Sequence, residues 1–556
     1  MKIEQFNFMF YEWEKNFPNT PFLKQPFGDG WETYTWEEAG KMARKVANAL
    51  QSLNLSKGAH IGLISKNCRE WIIADIAIIM AGYVSVPFYA NLTGEQLNEV
   101  IELGDIKALF VGKLEDWEGK QQSVNKNLPL IAFPKYIDHS VIEKALQWKD
   151  IMTDFEPLKE VQKPNMDDIW SIIFTSGTTG TPKGVVINYA AIEESKWSVL
   201  ELNPTKTDIN GDNRYFSYLP LNHIAERLVV EYNCFRFGGT IYFTESMNTF
   251  SKNLIDTKPT IFFAVPRILT KFQQGILGTM PQSDLDKALN NPKQSEVVKK
   301  KLKASLGLGE VRALISGAAP LSESLKVWYA SIDLPITNGY GMTENCAITT
   351  VLFPNENKPG SVGKPQPRVK IKIDGESGEI LMKAPFLMVG YYKRQDLTDK
   401  TIVDGWLKTG DQGRVDEGGN LYITGRVKDT FKTSKGKFIV PLKIEEKFEG
   451  DENIEQLCVV GIGCSQPLAL IVLSDCGKKK SKETIENDFT TLINNVNKEL
   501  SNYQKVSTII INKESWSVEN DLLTPTLKVK RNVLSKHFLD SFQKWHETPK
   551  KIIWEE

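Results

Sequence analysis

Apolar positions recur along this chain with two periods, one near 3.6 residues and one of two, and segments of the two kinds follow one another in turn. Residues 36–55, WEEAGKMARKVANALQSLNL, space their apolar side chains as a helix does, whereas HIGLIS, YVSVPFY and KALFVG are short apolar runs that predict buried strands. Alternating helix and strand predicts an α/β domain with substantially parallel sheets, because parallel strands need crossover connections that helices supply. Residues 71–90 are apolar enough to approach a membrane span, but Asp75, Gly82 and Pro87 interrupt them, so a buried helix turning into a strand is expected.

The pattern changes at residues 369–381, VKIKIDGESGEIL, where alternating strands flank Asp-Gly and Ser-Gly turns and predict a hairpin. A second change falls at Gly425-Arg426. Beyond it FIVP, QLCVVGIG and LALIVL, a lysine-rich turn at 478–482 and helical stretches predict a small α+β domain. The expected organisation is a large N-terminal domain over 1–425, α/β sheets plus a β-rich part, and a small mobile α+β domain over 426–556. A chain of 556 residues requires such a division, since single cores stop growing near 250–300 residues.

Composition narrows the functional classes. Hydrophobic residues at 41% and charged residues at 25% are those of a globular protein. The 68 basic and 69 acidic side chains cancel, leaving no global field to recruit nucleic acid. Cys68, Cys234, Cys346, Cys458, Cys464 and Cys476 are dispersed and form no CxxC pair, which fits a reducing cytoplasm. Residues 1–17 carry acids among their apolar residues and lack the basic leader of a secretory signal. No transmembrane segment is expected.

The sharpest local signal is residues 171–188, SIIFTSGTTGTPKGVVIN, where an apolar strand enters Thr175-Ser176-Gly177-Thr178-Thr179-Gly180, followed by Lys183. Glycines let backbone N–H groups approach phosphate oxygens, hydroxyls add donors and a lysine adds charge, so the segment suits a nucleoside triphosphate. By composition alone it also suits an ordinary Ser/Thr/Gly surface turn. It is not a Walker A loop, because Pro182 stands where that loop needs glycine.

The whole string resembles the signature of the adenylate-forming superfamily, which includes acyl-CoA synthetases, luciferases and the adenylation domains of peptide synthetases. Further motifs come in that family's order: YLPLNHIAER at 218–227, Val265-Pro266-Arg267, SGAAPL at 316–321, NGYGMTE at 338–344, Thr409-Gly410-Asp411, GRVKD at 425–429, and LTPTLKVKR at 523–531. The first, second and last of these are similar to the long-chain fatty acyl-CoA synthetases. Lys408 stands in DGWLKTGD where that branch often has histidine, and Leu527 precedes Lys528 where the superfamily often has glycine.

The resemblance implies a ligase that joins acid and ATP into acyl-AMP and pyrophosphate, then transfers the acyl group to CoA. It implies that Thr175–Gly180, Lys183 and Thr343 hold phosphates, that Glu344 binds Mg²⁺, and that Gly317, Ala318, Ala319, Asn338 and Gly339 shape the nucleotide pocket. Tyr340 would stack on adenine, and Asp411 with Arg426 would hold the ribose. Lys528 would stabilise the adenylation step, with Lys530 as the alternative, and His223 would lie beside the acyl carboxylate. Lys428 would be the hinge and Gly436 would border the CoA tunnel. The cofactors and partners implied are ATP, Mg²⁺, CoA and a fatty acid, with peripheral contact at the inner membrane face compatible with so amphiphilic a substrate. The alternatives are an adenylating enzyme that loads a carrier protein, a non-catalytic fatty-acid or nucleotide binding protein, and a luciferase-like oxygenase.

Overall fold

The computed structural model describes residues 6–175, 181–202, 212–356, 358–518, 520–524 and 528–555. Helix formation follows the sequence signals closely where caps are strong. Trp36–Gln51 begins at Thr35, whose hydroxyl accepts from Glu38 N while the Glu38 carboxylate accepts from Thr35 N, a reciprocal capping box. Its Ala39, Ala43, Val46, Ala47 and Leu50 are buried, and it packs against Arg69–Met80. That second helix is buried on nearly every face and passes through Gly82 into strand Val84–Phe88, the helix-to-strand passage its sequence predicts.

Among the described residues, two large sheets carry the N-terminal part. In the nine-stranded one, Pro21–Phe27, Thr240–Phe243, Arg214–Ser217, Ile261–Phe263, Ala313–Gly317 and Ile336–Tyr340 form a continuous parallel run edged by antiparallel strands. In the eight-stranded one, Ile169–Thr175, Val84–Phe88, His60–Ile64, Ile106–Val111, Leu130–Ala132 and Leu146–Gln147 form a second parallel run, with antiparallel strands Lys183–Asn188 and Gly390–Tyr391 at one end only. Trp36, Trp71 and Trp170 are fully buried in the core between these layers, each side chain contributing about 2–3 kcal/mol of transfer free energy.

A five-stranded antiparallel sheet follows, containing the hairpin Lys370–Ile373 and Glu379–Lys383 at the place the alternation indicates. After Arg426 comes a small hairpin, Phe431–Lys432 with Phe438–Ile439, then a four-stranded sheet of Ile454–Val460, Leu468–Leu473, Thr508–Ile511 and Ile552–Trp554, covered by Lys482–Lys498. One local expectation is corrected: FIVP is not a full strand, because Pro441 fixes its own φ and opens helix Pro441–Glu445. Among the described residues no helix is long and apolar enough to cross a membrane.

Candidate active site

Parallel strands Ala313–Gly317 and Ile336–Tyr340 pair Ser316 with Asn338 and Gly317 with Gly339, and their carboxyl ends open onto a cavity of about 1660 Å³. This is where open α/β sheets hold ligands. A Cβ on Gly317 would lie 2.7 Å from the carbonyl oxygen of Gly339, so only glycine allows the two strands this approach. Ala318 follows at φ 66°, a left-handed conformation costing a residue with a side chain roughly 1–2 kcal/mol. Gly317, Ala318, Ala319, Asn338, Gly339 and Tyr340 all face the cavity. The hydroxyl of Ser316, buried in the same wall, has no hydrogen-bond partner among the described residues.

The next turn carries Thr343 and Glu344. A side chain on Gly341 would overlap the backbone of Ala347, and Cys346 and Ala347 both adopt left-handed φ, so the chain doubles back tightly. Buried Asn345 holds this turn by accepting from Met342 N at 3.0 Å and donating to Thr349 Oγ1 at 2.6 Å. Thr343 and Glu344 thereby face the cavity.

Asp411 and Arg426 are cross-strand partners on Trp406–Val415 and Leu421–Arg426. Arg426 Nε donates to Asp411 Oδ1 at 2.9 Å, and Tyr340 Oη donates to Asp411 Oδ2 at 2.7 Å. Burial and the neighbouring Asp411 carboxylate push the Tyr340 phenol well above its usual range, so it remains a donor. Three sequence-predicted residues are thus locked together around one carboxylate.

Tyr391 lies on Gly390–Tyr391, which pairs with Lys183–Asn188. Its hydroxyl donates to Glu344 Oε1 at 2.7 Å, and Lys183 Nζ stands 5.2 Å from its ring centroid. Burial, then the charge of Lys428, lowers the Lys183 ammonium pKa, with Glu344 opposing. Thr175 and Lys183 are opposed at the base of one hairpin, and Thr175 also faces the cavity. Ser176, Gly177, Thr178, Thr179 and Gly180 lie outside the described residues. No group of three or more His, Cys, Asp or Glu side chains is arranged for a metal among the described residues. Mg²⁺ is ordinarily held by one or two carboxylates together with substrate phosphates, so the single carboxylate of Glu344, oriented by Tyr391, fits that ion.

The segment YLPLNHIAER divides its work. His223 caps the short helix Ile224–Glu226, its Nδ1 accepting from Ala225 N at 3.2 Å. Burial, with the charge of Lys528 adding, lowers its pKa to about 4, so the ring is neutral and carries its proton on Nε2. Glu226 accepts from Ser217 Oγ at 3.0 Å and Tyr218 N at 3.1 Å, and burial raises its pKa to about 8. Arg227 is fully buried, pairs with Asp75 at 2.6 Å and Glu231 at 3.3 Å, and lies 4.0 Å from the Trp170 ring centroid. His223 faces the cavity. Glu226 and Arg227 knit the wall behind it, and Asp75, the polar interruption in an apolar helix, is explained by that ion pair.

Lys528 arrives from the far end of the chain. Leu523 and Val529 form a bridge, Thr524 N donates to Lys528 O at 2.8 Å, and Lys530 N donates to Leu522 O at 2.9 Å, making a tight hairpin. Pro525, Thr526 and Leu527 lie outside the described residues. Lys530 is engaged by an ion pair with Asp521. Lys528 makes no ion pair among the described residues and lines the cavity. Burial and the charge of Arg426 lower its pKa, with Asp411 opposing, and the charge of Lys528 in turn acts on His223. Lys428 and Gly436 do not line this cavity; Gly436, at φ 72°, occupies the turn between Phe431–Lys432 and Phe438–Ile439.

Sequence reasoning missed Tyr391, for which no local motif signals a link to Glu344. It also missed the Asp75–Arg227–Glu231 cluster, whose sequence signal was an aspartate inside an otherwise apolar helix.

A glycine-lined pocket at the strand ends, a carboxylate held between tyrosine and arginine, and a lysine delivered by a hairpin of the C-terminal part define an adenylate-forming enzyme. Residues 10–392 match the family described as AMP-binding enzyme, and residues 428–547 match the AMP-binding enzyme C-terminal domain. The chain belongs to the AMP-binding enzyme family and is an ATP-dependent acid–thiol ligase. Among its relatives are Long chain acyl-CoA synthetase 3 of Arabidopsis thaliana, 27% identical over 96% of this chain and 91% of the relative. Long-chain-fatty-acid--CoA ligase 6 of Rattus norvegicus is 30% identical over 91% of this chain and 82% of the relative. The fold is shared with the anthranilate CoA ligase AuaEII in complex with anthranoyl-AMP, at a TM-score of 0.78 and 21% identity over 97% of this chain and 98% of that one. It is also shared with the adenylation domain of a carboxylate reductase from Mycobacterium chelonae, at a TM-score of 0.81 and 21% identity over 99% of this chain and 92% of that one.

Proposed function

We propose that this chain is an AMP-forming long-chain fatty acid:CoA ligase. The observation that carries the reading is that Lys528, from the hairpin closed by the Leu523–Val529 bridge in the C-terminal part, lines the same cavity as His223, Asp411 and Arg426. The cavity that His223 faces is also lined by Ile224, Leu228, Val229, Phe263, Ile315 and Ile348, an apolar wall interrupted by Ser195, Asn233 and Arg236. Its 1660 Å³ exceeds the roughly 300–1000 Å³ of a single small-ligand pocket and suits a nucleotide plus an acyl chain.

In this reading the acid lies along the apolar wall with its carboxylate at His223, whose Nε2–H donates to an oxygen there. A carboxylate oxygen attacks the α-phosphorus of ATP, an acyl–phosphate bond forms, and the bond to pyrophosphate breaks. Lys528 stabilises the negative charge shared between carboxylate and α-phosphate, in a partly desolvated place where such an interaction is strengthened. Asp411 accepts from the ribose hydroxyls, while Thr175, Lys183 and Thr343 hold phosphates. Mg²⁺, held by Glu344, would neutralise phosphate charge. The CoA sulfur then attacks the acyl carbon and AMP leaves.

Two chemistries at one site require the catalytic lysine to withdraw. We assign the division to residues 1–425 and 426–556, with Lys428 as hinge and Gly436 beside the path of CoA. Work in the cytoplasm with only peripheral membrane contact suits dispersed thiols and an amphiphilic substrate.

Pyrophosphate release with acetate, octanoate and palmitate in parallel tests the substrate class. Palmitate should give the highest kcat/KM; a preference for acetate would overturn the long-chain assignment and leave the ligase intact. Acyl-AMP accumulating in the presence of CoA would favour a carrier-protein acceptor.

A further inference from the structure

The Val265-Pro266-Arg267 turn has no part in the site described above. Pro266 opens helix Pro266–Leu277 and places Arg267 in its first turn. A cation there faces the positive end of the helix dipole, so the helix itself gives no reason for arginine. The reason lies across the molecule. Arg267 Nη2 donates to Glu455 Oε1 at 2.6 Å, bridging 188 positions of sequence, with both side chains about three-quarters shielded from solvent.

Glu455 lies at the start of strand Ile454–Val460, the first strand of the C-terminal sheet. Near the other end of that strand, Arg531 Nη1 donates to Val459 O at 2.6 Å, and its Nη2 donates to Glu445 Oε2 at 2.8 Å. Arg531 also reaches toward Asp429, at 3.5 Å, just beyond the junction at Arg426. It stands three residues after Lys528, at the start of helix Arg531–His537. One strand is therefore gripped by Arg267 from helix Pro266–Leu277 of the N-terminal part and by Arg531 from the segment that presents Lys528.

We propose that Arg267 is a positioning residue for adenylation: its ion pair with Glu455 holds the C-terminal sheet where Lys528 enters the cavity, and must break when that sheet moves for thioester formation. This inference rests on the adenylation role of Lys528. Arg267 touches no substrate in it, and acts through Glu455, strand Ile454–Val460 and Arg531. A pair that forms in one arrangement biases the equilibrium between two, and only the half-reaction needing that arrangement feels its loss.

The test uses the full chain with Arg267→Glu, Glu455→Arg and the double exchange R267E/E455R. ATP–pyrophosphate exchange with palmitate reads the first half-reaction, and CoA acylation from supplied palmitoyl-AMP reads the second. Each single variant should lose about five- to tenfold in exchange kcat, with KM for ATP changed less than twofold and CoA acylation unchanged or faster. The double exchange should recover to within about threefold of the wild type. Equal loss of both half-reactions without recovery in the double variant would mean a structural role and overturn the proposal, as would exchange at the wild-type rate in both single variants. Absence of exchange in the wild type with any acid would instead overturn the functional reading itself, and this inference with it.

Discussion

Asp411 and Arg426 face each other across paired strands with 2.9 Å between carboxylate and guanidinium, and Tyr340 closes the other side of the same carboxylate at 2.7 Å. The carboxylate is fixed before any nucleotide arrives, which lowers the ordering cost of binding a ribose. Asp411→Asn keeps the shape but loses the charge and one acceptor. It should raise KM for ATP at least tenfold and reduce kcat/KM for ATP by about 100-fold, measured by pyrophosphate exchange at varied ATP.

The two neighbouring lysines should separate cleanly. Lys528→Ala should reduce adenylation by about 100- to 1000-fold, the scale on which a lost charge-stabilising donor acts. CoA acylation from supplied palmitoyl-AMP should stay within about threefold of wild type. Lys530 is already engaged by Asp521, so Lys530→Ala should cost less than about threefold in either half-reaction.

Stability should carry a distinct pH signature from Glu226. Its ordinary pKa of 4.5 is raised to about 8 by burial, so between those values the folded protein keeps a proton that the unfolded chain releases. That contribution is complete below pH 4.5 and is lost as pH rises to 8. His223, lowered to about 4, has the opposite sign and contributes rising stability only up to about pH 6.5. Glu226→Gln should therefore melt at a temperature whose advantage over wild type widens by roughly 1–4 °C between pH 6 and pH 8, followed by calorimetry. A constant difference across that range would show that the carboxyl is not held protonated.

Arg227 is a wall residue in this account, and its removal should act on stability before chemistry. Arg227→Met leaves Asp75 and Glu231 buried without their cation, at a cost of about 3–5 kcal/mol. Denaturant unfolding should show the loss, and the triple change Asp75→Leu, Arg227→Met, Glu231→Leu should recover most of it.

Much of the fold was legible because its signals are local. Thr35 and Glu38 mark a helix start, the Asp374–Gly378 turn marks a hairpin, and alternating apolar runs predict parallel strands with helical crossovers. The candidate site was legible through motif order, since Gly317, Tyr340, Glu344, Asp411 and Lys528 do converge on one cavity. What stayed hidden depends on contacts between distant segments. Nothing near Tyr391 announces its hydrogen bond to Glu344, and nothing near Arg227 names Asp75, 152 positions away, as its partner. Telling Lys528 from Lys530 likewise needed the hairpin, because both lysines line the cavity and only the fold pairs Lys530 with Asp521 while Lys528 makes no ion pair among the described residues.

The most direct test incubates the protein and its Lys528→Ala variant with palmitate, ATP, Mg²⁺ and CoA, and identifies the products by mass spectrometry. The account predicts palmitoyl-CoA and AMP in equal amounts from the wild type, with formation of both collapsing in the variant. ATP cleavage without thioester, or equal AMP formation by the two proteins, would contradict it.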